Sequence, residues 1–273
     1  MRLTPLACCV VAGCAALVAA HVDPAVSHAE VPSVSDQQHL LDLAGDYAER
    51  YVSNLPDFLC DQVVRQFESG RKDHWKEHET LTSRLTFVNG REHRTLRLVN
   101  GKNVEPGSNH WRTPPLVTEG EFGLLIGSVF SANSDANFHF NRWDTLNGKR
   151  LAVFDYSIDR QHSGLSLTLS DLARAFIPYH GSFFVDSAGG TIWRISSEAE
   201  EIPEELRTIQ IVTTIDYGEV PVGPKQYILP VAAEVLMTNA DHRRVRHLMT
   251  FENYRKFEAD STITFGGQRP AQR

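Results

Sequence analysis

The sequence predicts an α+β fold: one large, curved antiparallel sheet of about ten or eleven strands, a half-barrel, with helices packed on its concave side. Three observations carry this. Apolar and polar residues alternate along most of the chain from Phe58 onward. Asn-Gly pairs, which type I′ hairpin turns prefer, punctuate those runs at 89–90, 100–101 and 147–148. Only two segments show helical patterning, and both carry apolar faces that require a partner surface. Nearly all connections are of hairpin length, so the strands form a single sheet that must curl.

The composition is that of an ordinary globular protein. The chain has 273 residues, 41% hydrophobic and 22% charged, which excludes disordered, collagen-like and multi-spanning membrane classes. Lys and Arg number 27 against 34 Asp and Glu, a formal charge of −7. No overall field draws such a protein to phosphate backbones, and nucleic acid is not expected as a partner.

The chain opens with Arg2 and an apolar run from Leu6 to Ala20, the form of a secretory signal, which assigns residues 1–20 to a signal peptide cut after Ala20. The run is too short to cross a hydrocarbon core of about 30 Å as a helix, so no transmembrane segment is expected in the mature chain. A cut after Ala29 also fits. Alternatively, Val11-Ala12-Gly13-Cys14 reads as a lipobox, with Cys14 lipidated and the protein anchored in the envelope. The expected location is periplasmic or secreted. Loss of Cys8, Cys9 and Cys14 with the signal leaves Cys60, so neither an intramolecular disulfide nor a cysteine zinc cluster is available. Between apolar neighbours and without a nearby cation, Cys60 reads as a buried, inert thiol.

Residues 21–34 contain Pro24 and Pro32 without periodicity and form a flexible leader. Ser35 with Gln38 has a capping-box spacing and opens a helix whose apolar face is Leu40, Leu41, Ala44, Tyr47, Ala48, Tyr51 and Val52. Asn54-Leu55-Pro56 stops it. Strands follow at Thr80 to Val88 and Arg91 to Val99, at Asn137 to Leu146 and Lys149 to Asp159, and at Ser182 to Asp186 and Thr191 to Ser197. Arg207 to Tyr217 alternates most cleanly, with Ile209, Ile211, Ile215 and Tyr217 on one side. Lys225 to Leu229, Ala232 to Met237 and Val245 to Phe257 complete the set. Between strands, Thr118 to Phe130 reads as a second helix, capped by Thr118, apolar nearly all round and therefore interior, with Gly120, Gly123 and Gly127 allowing close approach to the sheet. One domain spans 35–265, and 266–273 is a flexible tail.

No constellation fixes a reaction. His74 and His78 are four apart but lack a third ligand, and read as a solvated strand edge; no metal and no cofactor is expected. The basic cluster from Asp241 to His247 reads as a hairpin tip, with contact to anionic headgroups or a protein partner as the alternative. Asp155, Asp159 and Asp186 are acid/base types with no sign of convergence. Ser128 and Ser182 follow glycines outside any G-x-S-x-G. His180 in Pro178-Tyr179-His180-Gly181 reads as a turn residue. No catalytic residue is assigned.

The order of elements, with Leu55-Pro56-Asp57-Phe58-Leu59-Cys60-Asp61-Gln62, the Asn-Gly hairpins, Phe183 to Arg194, Asp216-Tyr217-Gly218-Glu219-Val220 and Tyr227-Ile228-Leu229-Pro230, resembles secreted bacterial proteins similar to the periplasmic outer-membrane lipoprotein carrier superfamily. The resemblance spans roughly residues 35 to 265 and implies a half-barrel wrapped over helices, with a hydrophobic concavity for acyl chains or a lipoprotein tail. The expectation is a non-enzymatic, extracytoplasmic binding protein that holds a hydrophobic ligand in a groove lined by Leu124, Leu125, Val129, Phe130, Phe154 and Ile211. The opposing reading has those side chains pack only on one another. Alternatives of another class are an envelope protein-interaction module without a small ligand, and a hydrolase with a dispersed site.

Overall fold

A computed structural model of the protein describes residues 31–70, 74–104, 122–170 and 173–257. The proposed signal segment, most of the leader, Thr118, Gly120, Glu121 and the tail lie outside the described residues.

Helix α1 (Val34–Tyr51) begins two residues earlier than the Ser35 capping pattern implies. Ser33 is the cap: its Oγ accepts the backbone N–H of Asp36 at 3.2 Å and donates to Asp36 Oδ2 at 2.7 Å. Asp36 places a carboxylate in the first turn, where the helix dipole favours it, and this outweighs the Ser35/Gln38 spacing. Leu40, Ala44, Ala48 and Tyr51 are buried and Leu41 and Tyr47 pack beside them, as the 3.6-residue period requires. A single 3-10 turn at Val52–Asn54 ends the helix before Pro56.

The strands are β1 (Phe58–Ser69), β2 (Trp75–Val88), β3 (Arg91–Val99) and β4 (Lys102–Asn103); then, after helix α2 (Leu124–Val129), β5 (Asn137–Leu146), β6 (Lys149–Ile158), β7 (Ser166–Ser170) and β8 (Ala173–Phe176). The remainder are β9 (Tyr179–Val185), β10 (Ile192–Ala199), β11 (Thr208–Val222), β12 (Lys225–Asn239) and β13 (Arg244–Lys256). Eleven of them form one antiparallel sheet in the order β4-β3-β2-β1-β13-β12-β11-β10-β9-β6-β5. The sheet is curved and not closed, the expected half-barrel. Asn89 and Gly90 (φ 51° and 73°) and Asn147 and Gly148 (51° and 79°) both adopt left-handed backbone, as a type I′ turn demands. β4 and β5 are opposite edges of the sheet, so the connection that carries α2 takes the chain from one edge to the other.

Four local expectations are corrected. The segments 225–229 and 232–237 form one strand, β12: Pro230 sits at the register shift between Asp216 and Tyr217 of β11, and pairing with β13 starts only at Ala232, so its missing N–H disrupts no regular ladder. Ile209 is 56% exposed, because a second register shift between Thr208 and Gln210 takes it off the face that Ile211 and Ile215 share. A two-stranded sheet, β7-β8, inserts between β6 and β9. His180 lies on β9, not in a turn.

The inner face of the sheet carries the main core, centred on residues such as Phe58, Phe154, Phe183, Ile195 and Ile215 together with the apolar side of α1. A smaller cluster of Leu151, Val153, Phe184 and Trp193 occupies the opposite face. Cations roof it: Lys149 Nζ lies 4.2 Å from the Trp193 ring, and Arg142 and Arg194 flank Phe184 at 5.9 and 5.6 Å. Their stems shield the rings while their charges stay wet.

Candidate ligand-binding cleft

α2 is short because Gly123, at φ 111°, is in a left-handed conformation, so the helix runs only from Leu124 to Val129. Its expected all-round burial is corrected too: Ile126 and Val129 are fully buried, whereas Leu124 is 60% exposed and Gly127 also faces outward. One side of the helix plugs the concavity and the other borders open space. Phe122, just ahead of it, anchors this arrangement through ring contacts with Phe58 (5.2 Å), Phe251 (5.5 Å) and Phe87 (6.0 Å). At the far end, Ser134 Oγ donates to the Val129 carbonyl at 2.9 Å and satisfies a terminal helix acceptor.

A cleft of about 580 Å³ opens beside α2, between the 89–92 hairpin end and the 161–164 loop. Phe87, Phe122 and Leu124 supply apolar wall, and Glu92, Ser128, Asn133, Gln161 and His162 supply the polar rim. Its size falls in the range of small-molecule sites. Phe87 and Phe122 belong to the main core, so the apolar wall is continuous with the interior.

Of the six residues expected to line a groove, Leu124 lines this cleft. Val129 and Phe154 are fully buried, Ile211 is buried on β11, and Leu125 and Phe130 are half-buried against the core. Phe154 stacks on Phe183 at 5.5 Å, and Phe130 meets Phe183 edge-on at 5.0 Å and stacks on Phe138 at 5.4 Å. The structure thus places one of the six at an opening and packs the others among neighbours. The residues that sequence reasoning did not select are Phe87, Phe122, Glu92 and His162. Phe122 lies inside the segment from Thr118 to Phe130 that reads as a helix and Phe87 on the alternating strand from Thr80 to Val88, patterns that signal burial and not a cleft; Glu92 and His162 have no local pattern.

The reactive types separate. Ser128 borders the α2 cleft and Ser182 a second depression of about 410 Å³ on the outer face, lined also by His139, Asp155, His180 and Glu198. There His139 Nε2 lies 3.4 Å from Asp155 Oδ2, and His180 Nδ1 lies 2.8 Å from Glu200 Oε1. Asp159 holds His162, and Asp186 accepts the Trp193 indole N–H at 3.0 Å. The three carboxylates therefore serve three different places. Among the described residues, no group of three or more His, Cys, Asp and Glu could hold a metal ion. Cys60 is fully buried, and burial pushes its thiol up to about 12. The basic run at 241–247 is the β12-β13 hairpin end, with Arg243 on Asp241 (2.7 Å), Arg246 on Glu234 (2.7 Å) and Arg244 over Trp75 (5.0 Å).

The solved structures to which the chain is similar include the following two. One is an outer membrane lipoprotein-sorting protein domain from Vibrio parahaemolyticus, at 12% identity, with a TM-score of 0.38 over 81% of this chain and 93% of that one. The other is a DUF1329 family protein from Desulfovibrio piger, at 8% identity, with a TM-score of 0.41 over 81% of this chain and 94% of that one. No family model and no curated protein matches the sequence. Among the described residues, no helix is long and apolar enough to cross a membrane.

Proposed function

We propose that this protein is an extracytoplasmic binding protein that takes a hydrophobic or amphiphilic ligand in the cleft beside α2. The observation that carries the reading is the cleft itself: about 580 Å³ of space whose apolar wall runs from exposed Leu124 to the core residues Phe122 and Phe87. Each ligand methylene buried there contributes about 0.8 kcal/mol, so a chain of modest length binds without special chemistry. The secretory form of residues 1–20 supports placement outside the cytoplasm. The dispersal of the carboxylates among separate partners favours binding over catalysis.

Native mass spectrometry of the protein purified from an envelope fraction tests this. A co-purifying lipid-sized mass that Leu124→Arg removes is the expected result. Ligand-free spectra, with no uptake of any acyl compound on titration, would reject it. An envelope interaction module remains the second reading, favoured by β5, an edge strand of 10 residues with no further strand partner among the described residues.

A further inference from the structure

The polar rim of the cleft is rich in hydrogen-bond acceptors and, among the described residues that line it, contains no Lys or Arg. Glu92 stands in the wall, with Oε2 2.9 Å from Nη2 of Arg94. Across from the strands, Asp159 Oδ1 accepts the backbone N–H groups of His162 and Gln161 at 3.0 and 2.8 Å and lies 2.9 Å from His162 Nδ1. These bonds, the His162 backbone N–H foremost, hold the Asp159 carboxyl below the usual carboxylate range. An ionised Asp159 only accepts, so Nδ1 of His162 is the nitrogen that donates to it, and in the neutral tautomer this leaves Nε2 as the acceptor. The hydroxyls of Ser134 and Ser163 are committed to the carbonyls of Val129 and Ile177, at 2.9 and 2.6 Å. The amides of Asn133 and Gln161 are rim groups that can both donate and accept.

We propose that the cleft selects an uncharged amphiphile whose head carries hydroxyl or amide hydrogens, of the monoacylglycerol type, over a fatty-acid carboxylate or a phosphate or sulfate ester. The proposal rests on the binding reading above and names the ligand class for the same site. A hydroxylated head donates to His162 Nε2 and to Glu92 and accepts from Asn133 or Gln161, while its chain lies along Leu124, Phe122 and Phe87. An anionic head brings no hydrogen to either acceptor, and Arg94, which does not line the cleft, is already engaged by Glu92.

Isothermal titration of the full chain with monooleoylglycerol, methyl oleate and oleyl sulfate, below their aggregation thresholds, separates head from chain. Monooleoylglycerol is expected to bind roughly tenfold more tightly than either of the others, the effect of about two net hydrogen bonds. His162→Ala narrows its lead over methyl oleate, and Asn133→Lys, which adds a cation at an exposed rim position, raises the affinity for oleyl sulfate. Equal binding of oleyl sulfate or methyl oleate by the unaltered protein overturns the head-group assignment while leaving the binding reading intact. A lead that survives His162→Ala unchanged overturns the placement of the head at this rim. Silence with all three ligands overturns the binding reading itself.

Discussion

The phenol of Tyr156 on β6 donates to the backbone carbonyl of Ser196 on β10 at 2.7 Å, although β9 lies between those strands. It can do so because the β9 residue opposite Tyr156 is Gly181, which has no side chain to obstruct the path. The β9-β10 ladder passes from Ile195–Phe183 to Glu198–His180, and the phenol serves the carbonyl left in that gap.

Replacement of Gly181 by alanine is therefore expected to be among the most damaging small changes in the sheet. A Cβ there would stand 1.9 Å from the Ser196 carbonyl oxygen and 2.8 Å from the Tyr156 hydroxyl. The expected cost is about 2–4 kcal/mol in urea unfolding. Tyr156→Phe, which leaves the Ser196 carbonyl without its phenol, is expected to cost about 1–3 kcal/mol. A neutral Gly181→Ala would show that the strands shift to accommodate the methyl group.

Leu124 and Phe154 are expected to respond in opposite ways. Phe154→Ala removes a fully buried ring stacked on Phe183 and is expected to cost about 3–5 kcal/mol. Leu124→Ala, at 60% exposure, is expected to change stability by less than about 0.5 kcal/mol while weakening acyl-ligand binding several-fold. Paired denaturation and binding curves for the two variants measure this.

Burial of His247 holds its imidazole below the ordinary 6.5. It pairs across the sheet with Gln66 and Val235, and Nδ1 has no hydrogen-bond partner. Below about pH 6.5 the unfolded chain takes up a proton at this site that the folded protein resists. Stability contributed by the neutral form is thus complete above that pH and is lost as the pH falls toward the lower folded value. The urea midpoint should fall between about pH 7.5 and pH 5.5, and His247→Gln should flatten that limb. An unchanged limb in the variant would assign the acid sensitivity to other groups.

With its thiol pushed up to about 12 by burial, Cys60 is expected to be inert to an aromatic disulfide reagent at about pH 8 in the native protein. In a chain that starts at His21, one thiol equivalent should react after urea is added. Rapid reaction without denaturant would mean that β1 opens locally.

Local patterns that reach solvent or the core through short-range rules were legible. The Asn-Gly turns name their own geometry, and the 3.6-residue stripe of α1 faces the core because no other arrangement buries Leu40, Ala44 and Ala48 together. The cap of α1 was not, since Ser33-Asp36 and Ser35-Gln38 share the same spacing, and the bonds between Ser33 Oγ and Asp36 show which one the helix uses. The unity of β12 was also hidden, because Pro230 argues locally for a break and only the register shift opposite it on β11 makes it tolerable. In the candidate site, Leu124 could be named in advance as an apolar residue in a glycine-punctuated segment. Its exposure could not, and neither could the arrival of Glu92 and His162 at the same cleft.

The class of the fold, the hairpin turns, the amphipathic face of α1 and the buried setting of Cys60 follow from the identity and spacing of near neighbours along the chain. Tertiary structure alone decided that β1 pairs with β13, that the connection through α2 joins opposite edges of the sheet, and which side of α2 faces open space. Those outcomes depend on how a curved sheet brings distant strands together, and on Gly123 turning the chain just before the helix. The composition of the cleft is a product of that curvature, and no run of consecutive residues encodes it.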